Sequence, residues 1–317
     1  MRRPLTGRTA IGYGLVVTAV TLWSLNASIA RTLLDDGLSA LRLSELRSLG
    51  AWLLLVAGVC AVRPALLRVD RSQVPRLAFL GIAGFAAVYA TYFVAIERLQ
   101  IGVALTLEYL APLLLLGYLW LVLGRRLSAA LWAAMAVSLV GCFLVVRAYD
   151  PGSLDALGVA AGLGAAISYA IYLAGSERAG SLLEPATTLV WAFGFASLFW
   201  IVVQPPWSFP FNELDGAGDA LRVGFVIVLG TLVPFACMVT ALRHVPAARA
   251  AVVATLEPVL SALFAYLIHD EGLAAIQIAG GLMVLAGVVW VQAQRPDIAA
   301  ESVSGGDLVS PRSQPGV

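Results

Sequence analysis

Three charged side chains fall inside stretches otherwise apolar enough to cross a bilayer. They are Glu108 in ALTLEYLAP (104–112), Glu257 in LEP (256–258) and Arg47 in ALRLSELRSLGAWLLL (40–55). A charge at the centre of a membrane helix costs on the order of 2.5–3.5 kcal/mol on insertion scales, and such residues usually face a cavity or a partner. Pro112 follows Glu108 by four residues, and Pro258 follows Glu257 directly. A helical proline removes the hydrogen bond to the carbonyl four residues back, so kinks at Pro112 and Pro258 are expected to expose the carbonyls of Glu108 and Ala254. A carboxyl beside a bare carbonyl suits a substrate or proton site, and Glu108 and Glu257 are therefore the candidates for proton coupling. A kink with a structural ion pair uses the same residues, and the sequence leaves both readings open.

The composition demands membrane-spanning elements. Of 317 residues, 60% are hydrophobic and 12% charged, and mean hydropathy is +0.90. A soluble domain would carry about 25% charged residues. The net charge of +1 gives no basis for nucleic-acid binding. Every basic residue is Arg, which excludes a Walker A lysine and Schiff-base chemistry. Cys60, Cys142 and Cys237 each sit alone in apolar runs, a pattern for core packing and not for a metal site. His244 and His269 are the only histidines, and neither HExxH nor GxSxG occurs. No enzyme activity, cofactor or metal is expected.

Apolar runs between charged or turn-rich breaks predict ten helices. They lie at about 10–30, 38–62, 76–96, 100–123, 128–147, 154–175, 185–204, 222–242, 246–268 and 273–293. An arginine-led start and the NASIA stretch (26–30) resemble a signal peptide, but the polar Thr18, Thr21, Ser24 and Asn26 and a repeat partner favour a retained helix 1. With the N-terminus inside, inner segments hold Arg2, Arg3, Arg8, Arg63, Arg68, Arg71, Arg76, Arg125, Arg126, Arg178, Arg243, Arg295 and Arg312. Outer segments hold only Arg31, Arg98, Arg147 and Arg222. This bias puts both termini in the cytoplasm of a plasma (inner) membrane protein. Residues 294–317, rich in Ser, Gly, Pro and acids, are expected to be a disordered cytoplasmic tail.

A shift of 146 residues superposes the two halves: Ala104 on Ala250, Pro112 on Pro258, Leu127 on Leu273, Gly141 on Gly287 and Trp23 on Tyr169. Five helices per half is an odd number, so the second half enters the membrane from the opposite side. The expected fold is all-α and polytopic: ten transmembrane helices as two inverted five-helix repeats (10–147 and 148–293) behind a short N-terminus (1–9). Inverted repeats place transporter sites near the midplane at the repeat interface.

Depth selects the remaining candidates. Arg47 lies about 13 Å below the outer end of helix 2, close to the depth of Glu108 on helix 4. The two can pair, or a substrate ammonium and carboxylate can separate them. Ala250, Ala254, Glu257 and Ser261 share a face if helix 9 is continuous. Trp23 and Asn26 on helix 1, Tyr169 and Tyr172 on helix 6, and Tyr92 beside Tyr89 and Phe93 on helix 3 suit the wall of an amphipathic cavity. Such aromatics also serve as packing or interface anchors. Gly158, Gly162 and Ala166 form a small-residue face for close helix packing.

With these residues in hand, the chain resembles the EamA family of the drug/metabolite transporter superfamily. The resemblance rests on the paired prolines of helices 4 and 9 and on LEPVLSALFAYLIHDEGLAAIQIAGGLMVLAGVV (256–289), and it covers about residues 10–293. One departure is Arg125 where the family often has Glu; Glu271 keeps the acid in the second half. ALTLEYLAP is also similar to the matching segment of threonine/homoserine-type exporters. The resemblance implies a secondary transporter, by alternating access, of amino acids or related small metabolites, with cationic drug export or lipid flipping as the alternative. Its expected partners are a small-molecule substrate and the bilayer, with the chain acting as a monomer or weak dimer.

Overall fold

The computed structural model describes residues 7–149, 154–210, 216–269, 272–294 and Glu301. Nine helices among them are long and apolar enough to cross a membrane, and Ala129–Val145 is a shorter apolar tenth. Helices 1 to 4 span Gly7–Asp35, Ala40–Val62, Val74–Arg98 and Ile101–Val122, and helix 5 is Ala129–Val145. Helices 6 to 10 span Ala156–Gly180, Pro185–Val203, Gly218–Ala241, Ala247–Ile268 and Ala275–Ala293. No strand occurs among the described residues. The protein is an all-α, multi-pass membrane protein.

Local chemistry sets the helix ends. Side chains of Ser39, Ser128 and Asp155 accept from backbone amides three residues on, at the starts of helices 2, 5 and 6. Pro75 and Pro185 occupy first turns, where a missing amide costs no hydrogen bond. The polar residues of helix 1 bond back onto their own helix: Thr18 donates to Gly14, Thr21 to Val17 and Ser24 to Val20, at 2.8–2.9 Å. They are therefore tolerated in an apolar setting.

Features recur 146 residues apart. Helix 4 breaks at Tyr109–Leu110 and helix 9 at Thr255–Leu256. Helices 3 and 8 each widen into a π-wound segment, Leu80–Ala86 and Val228–Leu232. Helices 5 and 10 pack along their lengths, because Gly141 and Gly280 let the backbones meet. A Cβ on Gly141 would sit 2.6 Å from the Gly280 carbonyl oxygen. On helix 6, Gly158 faces Leu99 and Gly162 faces Leu107 just as closely.

Two sequence expectations need correction. Pro112 and Pro258 do not kink continuous helices; each is the second residue of a new helical segment, Ala111–Gly117 and Glu257–His269. A proline in a first turn loses nothing, whereas one inside a helix would leave a carbonyl bare in a dry core, so the chain breaks just ahead of it. Ala250 and Ala254 therefore belong to a different segment from Glu257 and Ser261, and one helical face does not carry across. The expected disordered tail and the loop acid Glu271 lie outside the described residues. The exceptions are Gln294, the C-cap of helix 10, and Glu301, which is buried in an ion pair with Arg249.

Candidate functional site

Glu108 is the last residue of the first segment of helix 4, and Glu257 the first residue of the second segment of helix 9. Both are only half-buried. The interruptions leave main-chain groups that neighbours take up. Ser24 Oγ lies 3.0 Å from the Glu257 carbonyl, which shares the one Ser24 hydroxyl proton with the Val20 carbonyl, and the Cys142 thiol approaches the Thr255 carbonyl at 3.6 Å. The broken helix 9 is thus tied to helices 1 and 5.

The two carboxyls are electrostatic neighbours. Tyr89, Tyr92, Tyr109 and Tyr169 all lie within the field of both, and Tyr109 stands next to Glu257. Tyr169 stacks on Tyr172 with ring centroids 5.9 Å apart, and Tyr172 meets Phe235 edge-on at 5.3 Å. Phe235 also meets Trp23 edge-on at 5.2 Å.

Four polar atoms of this wall are buried with no partner: Trp23 Nε1, Asn26 Oδ1, Tyr169 OH and Tyr172 OH. Leaving a buried polar group unsatisfied costs about 1–3 kcal/mol. Such groups call for a partner, which water or a polar guest can supply.

Arg47 does not pair with Glu108. Its Nε donates to Thr231 Oγ1 at 2.9 Å and its Nη2 to the Gly230 carbonyl at 3.0 Å, while Cζ lies 4.4 Å from the centre of the Tyr89 ring. Thr231 in turn donates to the Val226 carbonyl at 2.8 Å. The π-wound turn of helix 8 turns this hydroxyl and carbonyl toward helix 2, and π-bulges are frequent at functional sites. Gly230 is required there because any Cβ would collide with the Asn26 amide. Arg47 remains close enough to influence Glu257 electrostatically. Equal depth on two helices was not enough to make a pair, since helix 8 offers two acceptors and helix 3 an aromatic face on the side Arg47 points to.

Toward the end of helix 2 nearest Ser39, Arg42 binds Glu45 at 2.7 Å, the Ser208 hydroxyl at 2.7 Å and the Ser208 carbonyl at 3.1 Å. It fastens helix 2 to the 205–208 turn. At the opposite face, Glu177 accepts from the Ala247 amide at 3.1 Å, capping helix 9. Arg249 there also donates to the carbonyls of Val291 and Gln294 at 2.7 and 2.8 Å. Among the described residues no three His, Cys, Asp or Glu side chains gather to hold a metal ion.

The fold thus gathers Glu108, Glu257, Tyr92 and Tyr169, sets Trp23, Asn26 and Tyr172 along the adjoining aromatic wall, and anchors Arg47 at its edge. Sequence reasoning missed Tyr109, Thr231, Gly230 and Phe235. Tyr109 was visible inside ALTLEYLAP, and Thr231 is the sole hydroxyl in an apolar run ahead of Pro234.

Comparison with known proteins bears on the family and the fold. The EamA-like transporter family matches residues 10–147 and again 156–292. Threonine/homoserine exporter RhtA of Escherichia coli (strain K12) is 28% identical over 277 residues, covering 83% of this chain and 86% of that protein. An uncharacterized transporter of Archaeoglobus fulgidus is 29% identical over 240 residues, covering 75% and 84%. The uncharacterized inner membrane transporter YicL of Salmonella typhimurium is 24% identical over 298 residues, covering 90% and 96%. A solved crystal structure at 19% identity superposes with a TM-score of 0.74, covering 92% of this chain and 97% of the other, and so shares the fold. With both halves matched and the helix breaks at equivalent places, this chain is a membrane transporter, not an enzyme, and belongs to the EamA-like transporter family.

Proposed function

We propose that the protein exports an amino acid or a related small zwitterion by alternating access, with Glu108 and Glu257 at the centre. The observation that carries this reading is the pair of half-buried carboxyls at two helix breaks, with tyrosines in the field of both and an adjoining wall that holds four unsatisfied polar atoms. A substrate ammonium finds two carboxylates and tyrosine faces, which attract cations through the ring quadrupole. A substrate carboxylate finds the Tyr169 and Tyr172 hydroxyls and the Trp23 indole N–H. Arg47 adds positive potential at the Glu257 side while keeping its own bonds to helix 8. Either carboxyl can carry a proton in exchange for substrate. The name of the RhtA relatives supports threonine-like cargo.

In this reading the arginine-rich side is cytoplasmic, both termini lie there, the membrane is the plasma membrane, and the repeats are 10–147 and 148–293. One chain contains the whole site, so a monomer suffices.

The test is a thermal-shift panel on detergent-purified protein. A ligand at 100 times its dissociation constant stabilises by about 2.7 kcal/mol. Shifts with threonine and homoserine that disappear in Glu108→Gln and Glu257→Gln support the proposal. Shifts with organic cations alone would replace it with drug export through the same two carboxylates.

A further inference from the structure

Away from the carboxylate centre, helices 3, 4 and 6 enclose a cleft of about 610 Å³. Its floor is deep and apolar, with Leu80 and Leu115 only 3% and 1% exposed. Its rim is open: Phe79 and Ile167, which also line it, are 60% and 53% exposed. In a membrane protein such a rim faces lipid. The lining of helix 6 runs from Ile167 to Arg178, about 16 Å of helix, or half of a ~30 Å hydrocarbon core. The cleft therefore occupies the depth of one leaflet.

One end of the cleft is polar and of a single sign. Arg76, in the first turn of helix 3, and Arg178, in the last turn of helix 6, line it together with Gln73, and no carboxylate does. Arg76 is exposed, with Nη1 3.5 Å from Gln73 Oε1. Arg178 is also engaged with the protein, so Arg76, held by one long contact to Gln73, is the more available of the two. An apolar slot of leaflet depth under a cationic mouth matches a lipid tail under an anionic headgroup. Guanidinium groups bind phosphate in a bidentate fork, and basic pockets between membrane helices hold anionic lipid heads. The same charge sign disfavours a cationic amphiphile.

We infer that this cleft binds an anionic phospholipid of the arginine-rich leaflet, with an acyl chain against Leu80, Leu115 and Ile167 and its phosphate at Arg76 and Arg178. The inference rests on the membrane-spanning reading of these helices and not on the substrate of the Glu108–Glu257 centre.

The experiment is lipid retention and melting of the full chain in detergent, with phosphatidylglycerol or phosphatidylcholine added. Phosphatidylglycerol should be retained preferentially and should raise the melting temperature. Arg76→Gln combined with Arg178→Gln should cut that preference by about fivefold per arginine, read against the double variant's own melting in phosphatidylcholine because Arg178 is also engaged with the protein. Equal retention of the two lipids overturns the inference, as does a preference that survives the double variant. Stabilisation by soluble glycerol phosphate to the same degree overturns it too, because the acyl slot would then be idle. Amino-acid shifts measured on the same samples separate the two ideas: their absence beside an intact phosphatidylglycerol effect sinks only the proposed cargo.

Discussion

Helix 4 and helix 9 break at equivalent positions, yet they place their carboxylates on opposite sides of the break. In helix 4 the acid, Glu108, ends the first segment, and its counterpart in helix 9 is Ala254. In helix 9 the acid, Glu257, begins the second segment, and its counterpart in helix 4 is Ala111. The backbone device is duplicated while the chemistry is not. The surroundings diverge in the same way. Arg47, Thr231 and Tyr89 form a polar contact between helices 2, 8 and 3. The positions 146 residues away, Phe193, Phe85 and Phe235, form the matching contact from aromatic rings, at 5.1 Å between Phe193 and Phe85 and 5.2 Å between Phe193 and Phe235. Gly230 beside Asn26 is likewise matched by Gly84 beside Tyr172. One of the two matched contacts presents charge where the other presents packing. The lesson is that the inverted architecture preserves which positions touch, and the residue types then give the two sides different work.

The comparison predicts a hierarchy of effects. Largest are the carboxylates: Glu108→Gln or Glu257→Gln, each removing a charged hydrogen-bonding group, should weaken substrate binding by roughly 10- to 150-fold. Membrane insertion should remain intact. Normal transport in either variant would remove that acid from the centre and leave the breaks as scaffolding alone. Next come the matched contacts. Phe193→Ala should cost about 3 kcal/mol of stability by opening a cavity, read as a lower melting temperature. Arg47→Met should instead depress transport with a smaller change in melting. If the two variants behave alike, the polar and aromatic contacts are not functionally distinct.

Gly230→Ala should cost about 1–3 kcal/mol by overpacking against the Asn26 amide. Adding Asn26→Ala should restore most of the melting temperature, and a double variant no better than the single would mean the clash lies elsewhere. Gly84→Ala meets the Tyr172 backbone at 3.1 and 3.2 Å as well as Leu80 Cδ1 at 3.2 Å, so trimming Leu80 alone should not rescue it. The smallest effect is expected for Ser24→Ala, which loses the hydroxyl shared between the Val20 and Glu257 carbonyls and should cost about 1 kcal/mol in thermal or denaturant unfolding.

Much of the fold was legible in the chain because it is written one-dimensionally. Helix positions follow from hydropathy, since a span must be apolar along its length. The register of 146 residues follows from paired prolines and glycines, each needed where a helix breaks or two backbones meet. Glu108 and Glu257 announced themselves as costly charges in apolar runs, which needs no knowledge of what lies across from them. What the sequence alone determined was therefore the all-helical membrane class, the approximate spans, the repeat spacing and which carboxylates to examine. Only the tertiary structure decided that the prolines open new segments, that Arg47 binds Thr231 and Gly230 in place of Glu108, and that Tyr109 joins the centre. The physical reason is that a buried guanidinium takes the acceptors its helix rotation presents. Those acceptors lie 183 and 184 residues away in the chain, where no local spacing reports them.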